Sequence, residues 1–113
     1  MLRDPEYLVD ILDAARLAIS YSADKDKAAF FADIQCQDAV IRRLEIIGEA
    51  ARRMSVETKA LLPQIPWSLM IGTRNILIHQ YDDIDVQIIW EALQSDLPPL
   101  IHMLEQHLAP LPE

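Results

Sequence analysis

Apolar positions along the chain recur at helical spacing, and the first run of them predicts a helix over residues 5–21. The stripe returns every three or four residues, as expected for the buried face of a helix. Asp4 is predicted to be the N-cap and Pro5 the first helical residue, where the missing proline N–H costs nothing. The stripe consists of Leu8, Ile11, Leu12, Ala15 and Ile19.

A second apolar pattern predicts one long helix over residues 26–54, after a polar connection at residues 22–27. About 28 residues would span about 40 Å at about 1.5 Å per residue. That length exceeds one small core, so this helix is expected to face a partner as well. Ser55 then offers a cap for a short extra turn of helix.

Prolines shape the second half of the chain. Pro66 opens a further predicted helix over residues 66–80. A last helix is predicted over residues 86–107, with a kink or break at Leu97 because two prolines follow it. Residues 108–113 are predicted to form a loose tail.

The composition supports an all-α protein of one domain. Gly48 and Gly72 are the only glycines, and no hairpin signal occurs. Hydrophobic residues make up 51% and charged residues 25% of the chain, which is typical of a globular protein. The expected fold is an antiparallel four-helix bundle over residues 1–113, with one short extra turn.

The chain shows no feature of a membrane or secreted protein. No apolar run approaches the roughly 20 residues that span a bilayer, and the N-terminus lacks the apolar region of a signal peptide. The single cysteine, Cys36, is expected to be a buried, inert thiol. These features predict a cytoplasmic protein.

The net charge of −8 argues against broad affinity for nucleic acid, although a small basic cleft on an acidic body remains open. Most basic residues are arginines, which suit bidentate contacts with phosphate or carboxylate. Pairing with Glu45 and Glu49 along the second helix is the simplest explanation for the arginines there. Five of the ten basic residues are Arg42, Arg43, Arg52, Arg53 and Arg74.

Residues 74–81 place Arg74, Asn75 and His79 in an otherwise apolar stretch. An arginine kept there either pairs inside the protein or serves a cleft, because burying an unpaired charge is costly. Histidine moves protons near neutral pH, and arginine can stabilise the charge on a phosphodiester. With an RNA 2′-OH as nucleophile, these residues suit RNA cleavage without metal or cofactor. No His-Glu-x-x-His motif or cysteine pair favours a metal site.

Spacing along one helix separates the two candidate catalytic groups. Arg74 and His79 are five residues apart, or about 140° around a helix at about 100° per residue. One helix does not aim both at one atom, whereas two copies around a two-fold axis can. The pattern predicts a homodimer with a composite site.

Structural explanations stay open for the same residues. His79 can be a core or capping histidine, Arg74 an internal ion-pair residue, and Tyr81 a packing residue near a helix end. Gly48 is expected to allow two helices to approach closely.

Four segments, in order, carry a family resemblance. Residues 43–50 (Arg-Leu-Glu-Ile-Ile-Gly-Glu-Ala) look like the signature of the family's second helix. Residues 65–67 and 71–72 look like the segment that precedes the family's main motif. Residues 74–81 fit the motif Arg-x4-His-x-Tyr, and Trp90 with residues 96–98 resembles the C-terminal helix. Together they resemble the HepT-like branch of the HEPN families, toxins of bacterial and archaeal toxin–antitoxin pairs, over about residues 4–106.

The resemblance implies a dimeric α-helical bundle whose better-understood members are metal-independent ribonucleases. It implies that Arg74 and His79 are catalytic. It also implies a partner, a minimal nucleotidyltransferase of the MNT type that acts as antitoxin. Such a partner can transfer AMP from ATP to the motif tyrosine, here Tyr81, and silence the toxin.

Two functions are therefore expected. In the first, a toxin endoribonuclease, Arg74 stabilises the scissile phosphate, His79 is the general base or acid, and Asn75 orients the site. The alternative is a non-catalytic dimeric HEPN module that binds nucleotide or an MNT nucleotidyltransferase through the same cleft. An ion pair between Arg74 and an acidic residue of the second helix would favour the alternative. The acidic candidates are Asp38, Glu45 and Glu49.

Overall fold

The computed structural model describes residues 3–108, which are helical with short connections and contain no strand. The all-α prediction is therefore confirmed. The α-helices are α1 (Asp4–Ser22), α2 (Lys27–Ala32), α3 (Ile34–Arg53), α4 (Val56–Leu61), α5 (Trp67–His79), α6 (Val86–Glu91) and α7 (Leu97–His107). One turn of π-helix, Ala92–Asp96, joins α6 to α7.

Helix α3 lies at the centre of the bundle. It packs extensively against α1 and against α5, and α1 also packs against α7. The four long segments of the predicted bundle are therefore α1, α3, α5 and the continuous stretch from α6 to α7. The most deeply buried large side chains are Ile11, Phe30, Val40, Leu77, Ile89, Leu93, Leu100 and Leu104.

The predicted long helix over residues 26–54 is wrong, because Asp33 divides it into α2 and α3. The Asp33 N–H still closes α2 on the Phe30 carbonyl, while its carboxylate accepts a hydrogen bond from the Cys36 N–H at 3.0 Å and so caps α3. Gln37 donates to the carbonyls of Phe30 and Phe31 at the end of α2. With two shorter helices, length is no longer an argument for a partner.

The prediction that Asp4 is the N-cap of α1 is wrong. Arg3 holds the cap position, and Asp4 is the first helical residue. The Asp4 carboxylate is buried and accepts hydrogen bonds from the Ser55 N–H at 3.2 Å, the Ser55 hydroxyl and the Thr58 hydroxyl at 2.6 Å. These hydrogen bonds lower the pKa of Asp4. Ser55 also caps α4 through the Thr58 N–H, as predicted. Asp4 thereby joins the start of α1 to α4.

The sequence predicts a kink or break at Leu97, but the helical backbone continues through this residue without a break, and a π turn directly precedes it. The Leu97 N–H bonds the Ala92 carbonyl, five residues back, which is the wider π pattern. Pro98 and Pro99 occupy the first turn of α7, where no N–H is required. Of the predicted tail, only Leu108 belongs to the described residues, and residues 109–113 lie outside them.

Cys36 is buried, and its Sγ contacts the Tyr21 carbonyl at 3.4 Å. Burial raises the pKa of the Cys36 thiol, which disfavours the reactive thiolate. The prediction of a buried cysteine is therefore confirmed. Within residues 3–108, no helix is long and apolar enough to cross a membrane.

Candidate functional site

Helix α5 carries the candidate site and is held to the core along one side. Trp67 is buried at its first position, and the indole N–H donates to the Leu62 carbonyl at 3.1 Å. Met70 and Leu77 are buried further along the helix. Because these positions face the core, Asn75 and His79 on other sides of α5 are exposed. The site is thus built on a fixed helix and not on a loop.

Gly48 brings α3 and α5 close together beneath Arg74. A Cβ at Gly48 would overlap the Arg74 Cβ and come within 2.8 Å of both the Arg74 Cγ and the Met70 carbonyl oxygen. No ordinary side chain tolerates such contacts, so the close approach requires glycine. The predicted role of Gly48 is confirmed. This packing places the base of the Arg74 side chain directly against α3.

Arg74 extends from α5 to Glu49 of α3. The Arg74 Nη2 lies 3.1 Å from the Glu49 Oε2, and its Nη1 donates to the Asn75 Oδ1 at 3.2 Å. The Arg74 side chain is 25% exposed, and its buried Nε has no hydrogen-bond partner among the described residues. Arg74 is thus held at the surface of the bundle with part of its hydrogen-bonding capacity unused.

Glu49 also contacts two arginines from the last turn of its own helix. Arg52 donates to both Glu49 oxygens, at 3.2 and 2.8 Å, and Arg53 donates to Oε1 at 2.8 Å. Hydrogen bonds from Arg52 and Arg53 lower the pKa of Glu49 to about 2, with a smaller contribution from the charge of Arg74. Three guanidinium groups against one carboxylate leave this arginine cluster (Glu49, Arg52, Arg53 and Arg74) with an excess of positive charge.

Intrahelical pairing, the simplest explanation for the α3 arginines, is confirmed for Arg52 and Arg53, and for Arg42 with Glu45 at 3.8 Å. Arg74 of α5 joins the same carboxylate, so of the three acidic candidates for Arg74 the structure selects Glu49. Gly48, directly before Glu49, marks the place where another helix comes close.

His79 ends α5 and is exposed, with no hydrogen bond or ion pair to the described residues. It is therefore neither a core histidine nor a side-chain cap. Tyr81 follows in the turn after α5 and is 80% exposed, so it is not a packing residue. Asp82 and Asp83 beside it are also exposed, and no group of three or more potential metal ligands occurs within residues 3–108.

Helix geometry keeps Arg74 and His79 apart within one chain. They are five residues apart on the uninterrupted helix α5, which corresponds to about 140° around its axis. Arg74 points across α3, whereas His79 stands exposed at the helix end. A site that uses both groups on one phosphate needs a second chain, and this composite site stays a prediction.

A groove of about 300 Å³ lies between α1 and α3, next to the arginine cluster. Its lining combines the aromatic ring of Tyr7 with three basic and three acidic side chains, Arg3, Arg42, Arg53, Asp10, Glu45 and Glu49. The cluster therefore borders an open, polar surface of mixed charge.

Comparison with known proteins places the chain in a family. The model of the "Ribonuclease HepT-like" family matches residues 11–107. The chain is 40% identical over 94 residues to "Putative RNase MJ1380" of Methanocaldococcus jannaschii, which covers 83% of this chain and 86% of that protein. It is 40% identical over 95 residues to "Probable ribonuclease HepT" of Thermococcus cleftensis, covering 84% of this chain and 86% of that protein. No solved structure shows a significant match. The chain belongs to the HepT-like ribonuclease family.

Proposed function

We propose that this protein is a metal-independent endoribonuclease whose catalytic groups are Arg74 and His79. The observation that carries the proposal is the setting of Arg74, which Gly48 and Glu49 hold at the surface of α5, on the same helix as an exposed His79. Family membership and the names of the relatives support a HEPN ribonuclease.

In the proposed reaction, RNA supplies its own nucleophile. His79 takes the proton of a 2′-OH while that oxygen bonds to the adjacent phosphorus. The bond from phosphorus to the 5′-oxygen breaks, and the leaving oxygen receives a proton from a protonated histidine or from water. Arg74 stabilises the additional negative charge on the phosphoryl oxygens, and Asn75, which accepts from Arg74, orients the guanidinium. The products are a 2′,3′-cyclic phosphate and a 5′-hydroxyl.

The proposed active form is a homodimer that combines Arg74 of one subunit with His79 of the other. The helical separation of these residues supports it, together with the open front of α5, where a Cβ at Gly72 would meet nothing within 4 Å. Sedimentation is expected to show a dimer at micromolar concentration. If the protein is a monomer under those conditions, the proposed composite site is ruled out.

The proposed biological role is that of a toxin, acting in the cytoplasm and controlled by an MNT-type nucleotidyltransferase antitoxin. The exposure of Tyr81 supports this, because an enzyme can reach its hydroxyl. Attached AMP would bring negative charge to the end of α5 and compete with an RNA phosphate for Arg74. Toxin and antitoxin are expected to form a higher assembly.

One observation favours the alternative, a non-catalytic HEPN module that binds nucleotide or the nucleotidyltransferase. Arg74 pairs with Glu49, the kind of contact that neutralises a catalytic arginine. The neutralisation is only partial, because Glu49 is shared with Arg52 and Arg53. The exposed His79 and the ribonuclease names of the relatives make the ribonuclease the better-supported function.

Expression of the chain alone, with and without His79→Ala, separates the two functions. The wild-type protein is expected to arrest growth and degrade cellular RNA, and the purified protein to cut RNA in excess chelator. His79→Ala is expected to do neither. Wild-type protein that leaves RNA intact, yet forms a stable complex with the nucleotidyltransferase, would favour the binding module.

A further inference from the structure

The net charge of −8 makes the chain as a whole repel RNA, so binding has to come from a local excess of positive charge. The arginine cluster is such a place. Glu6, Glu45 and Glu105 each pair with one arginine, whereas Glu49 contacts three. Two of those three, Arg52 and Arg53, have no role in the chemistry proposed above.

Arg52 and Arg53 keep most of their donors available. Each guanidinium has five N–H groups, as every arginine does. Arg53 donates to Glu49 through Nε and also interacts with the Tyr7 side chain. Arg52 donates to Glu49 through Nε and one Nη2 hydrogen, so most Nη hydrogens of both arginines remain unused. The Arg52 side chain is 53% exposed and the Arg53 side chain is 57% exposed. Glu49 thus orients both groups without consuming their capacity to bind an anion.

We propose that Arg52 and Arg53 form a second phosphate subsite, which binds the RNA phosphate next to the scissile phosphate at Arg74. Glu49 is the positioning residue that holds the two subsites together. All three guanidinium groups contact this one carboxylate, so they lie within reach of neighbouring phosphates of one strand. The subsite rests on the proposed ribonuclease function and deepens it.

Binding of a non-cleavable RNA tests the subsite apart from catalysis. The probe is a fluorescent oligonucleotide with 2′-O-methyl groups throughout, titrated by anisotropy over a series of salt concentrations. The double variant Arg52→Gln, Arg53→Gln is expected to lose about ten-fold in affinity at low salt. The plot of log affinity against log salt concentration for this variant is expected to be shallower by about 0.7, the change expected for the loss of one phosphate contact on a single strand.

A matched control removes the same charge elsewhere. Arg16 pairs with Glu105 between α1 and α7, and Lys27 lies over the Phe31 ring on α2. The double variant Arg16→Gln, Lys27→Gln is expected to stay within about two-fold of wild-type affinity with an unchanged salt slope. Equal losses in the two double variants would mean that only net charge matters, and the subsite would be wrong.

Glu49→Gln tests the positioning role, because it removes one negative charge and keeps the shape. Affinity for the non-cleavable RNA is expected to stay the same or rise, since the cluster becomes more positive. The kcat for cleavage is expected to fall about ten-fold, because Arg74 loses the contact that holds it, with KM little changed. Unchanged or increased kcat would show that the Glu49 contact is only a surface ion pair.

Two failures are distinguishable. If wild-type protein cuts RNA but the two double variants bind alike, the subsite is wrong and the ribonuclease stands. If wild-type protein neither cuts nor binds RNA, the ribonuclease is wrong, and the subsite falls with it.

Discussion

Asp4 and Glu49 are both carboxylates with a lowered pKa, but their surroundings differ. Asp4 is 4% exposed, and hydroxyl and amide groups of α4 donate to it. The Glu49 side chain is 30% exposed, and three guanidinium groups surround it. At Asp4, hydrogen bonds join two segments of the fold. At Glu49, an excess of positive charge faces solvent.

This difference separates a structural role, that of Asp4, from the functional role that we propose for the arginine cluster. A buried carboxylate that accepts several short hydrogen bonds stabilises the fold through them. Glu49 is surrounded by more cationic groups than it can neutralise, which leaves capacity for another anion. Substitutions at the Asp4 network should therefore change stability, and those at the arginine cluster should change activity.

The largest expected effect is on activity and concerns the proposed catalytic pair, Arg74 and His79. Arg74→Ala and His79→Ala should each lower the rate of RNA cleavage by about 10²–10⁴, because each removes a group that acts on the transition state. Since His79 is exposed, His79→Ala should leave the free energy of unfolding within about 0.5 kcal/mol of wild type. Single-turnover cleavage and urea denaturation measure the two quantities. Full activity in either variant contradicts the assignment.

The two glycines form the next test, because one supports the site and the other does not. Gly48→Ala should lower stability by about 1–3 kcal/mol and also reduce cleavage, since its Cβ overlaps Arg74. At Gly72 an added Cβ would contact no other atom of the chain within 4 Å. Gly72→Ala should therefore raise the free energy of unfolding by about 0.5–1 kcal/mol, because alanine favours a helix more than glycine does. Denaturant midpoints compare them. A Gly48→Ala protein as stable as wild type would refute the close contact of α3 and α5.

Asp4→Asn should show the opposite pattern to the catalytic variants, with a loss of about 1–3 kcal/mol in stability at pH 7 and unchanged cleavage. Because the pKa of Asp4 is lower in the folded state, its contribution is complete above the unfolded pKa of about 4. It disappears as the pH falls through the folded value. The difference in the free energy of unfolding between wild type and Asp4→Asn should therefore disappear below about pH 4. Asp13→Asn, exposed on the same helix, is the control and should leave the free energy of unfolding at pH 7 within about 0.5 kcal/mol of wild type.

Tyr81→Phe should have the smallest effect on the isolated protein. Because Tyr81 is 80% exposed, stability should stay within about 0.5 kcal/mol and cleavage should be unchanged. Its effect should emerge only with the nucleotidyltransferase, where wild-type protein gains AMP on the peptide containing Tyr81 and the variant stays unmodified and toxic. Tyr21→Phe is the matched control. Suppressed toxicity with an unmodified Tyr81 would point to inhibition by binding alone.

Local signals predicted much of the fold. Ser55 marks the start of α4, Pro66 precedes α5, and the proline pair marks the change from the π turn to α7 at Leu97, since each acts on its own stretch of backbone. The division at Asp33 was missed because apolar positions continue on both sides of it. Its dual role, ending α2 and capping α3, depends on Gln37 and Lys25 packing around it.

The sequence by itself determined the helical class, most helix limits and the presence of an arginine and a histidine on one helix. These follow from periodicity, proline and spacing, which act over a few residues. Only the tertiary structure decided that Arg74 meets Glu49 over Gly48, and that Asp4 joins α4. Such contacts depend on how closely and at what angle helices distant in sequence pack together, and the core sets both.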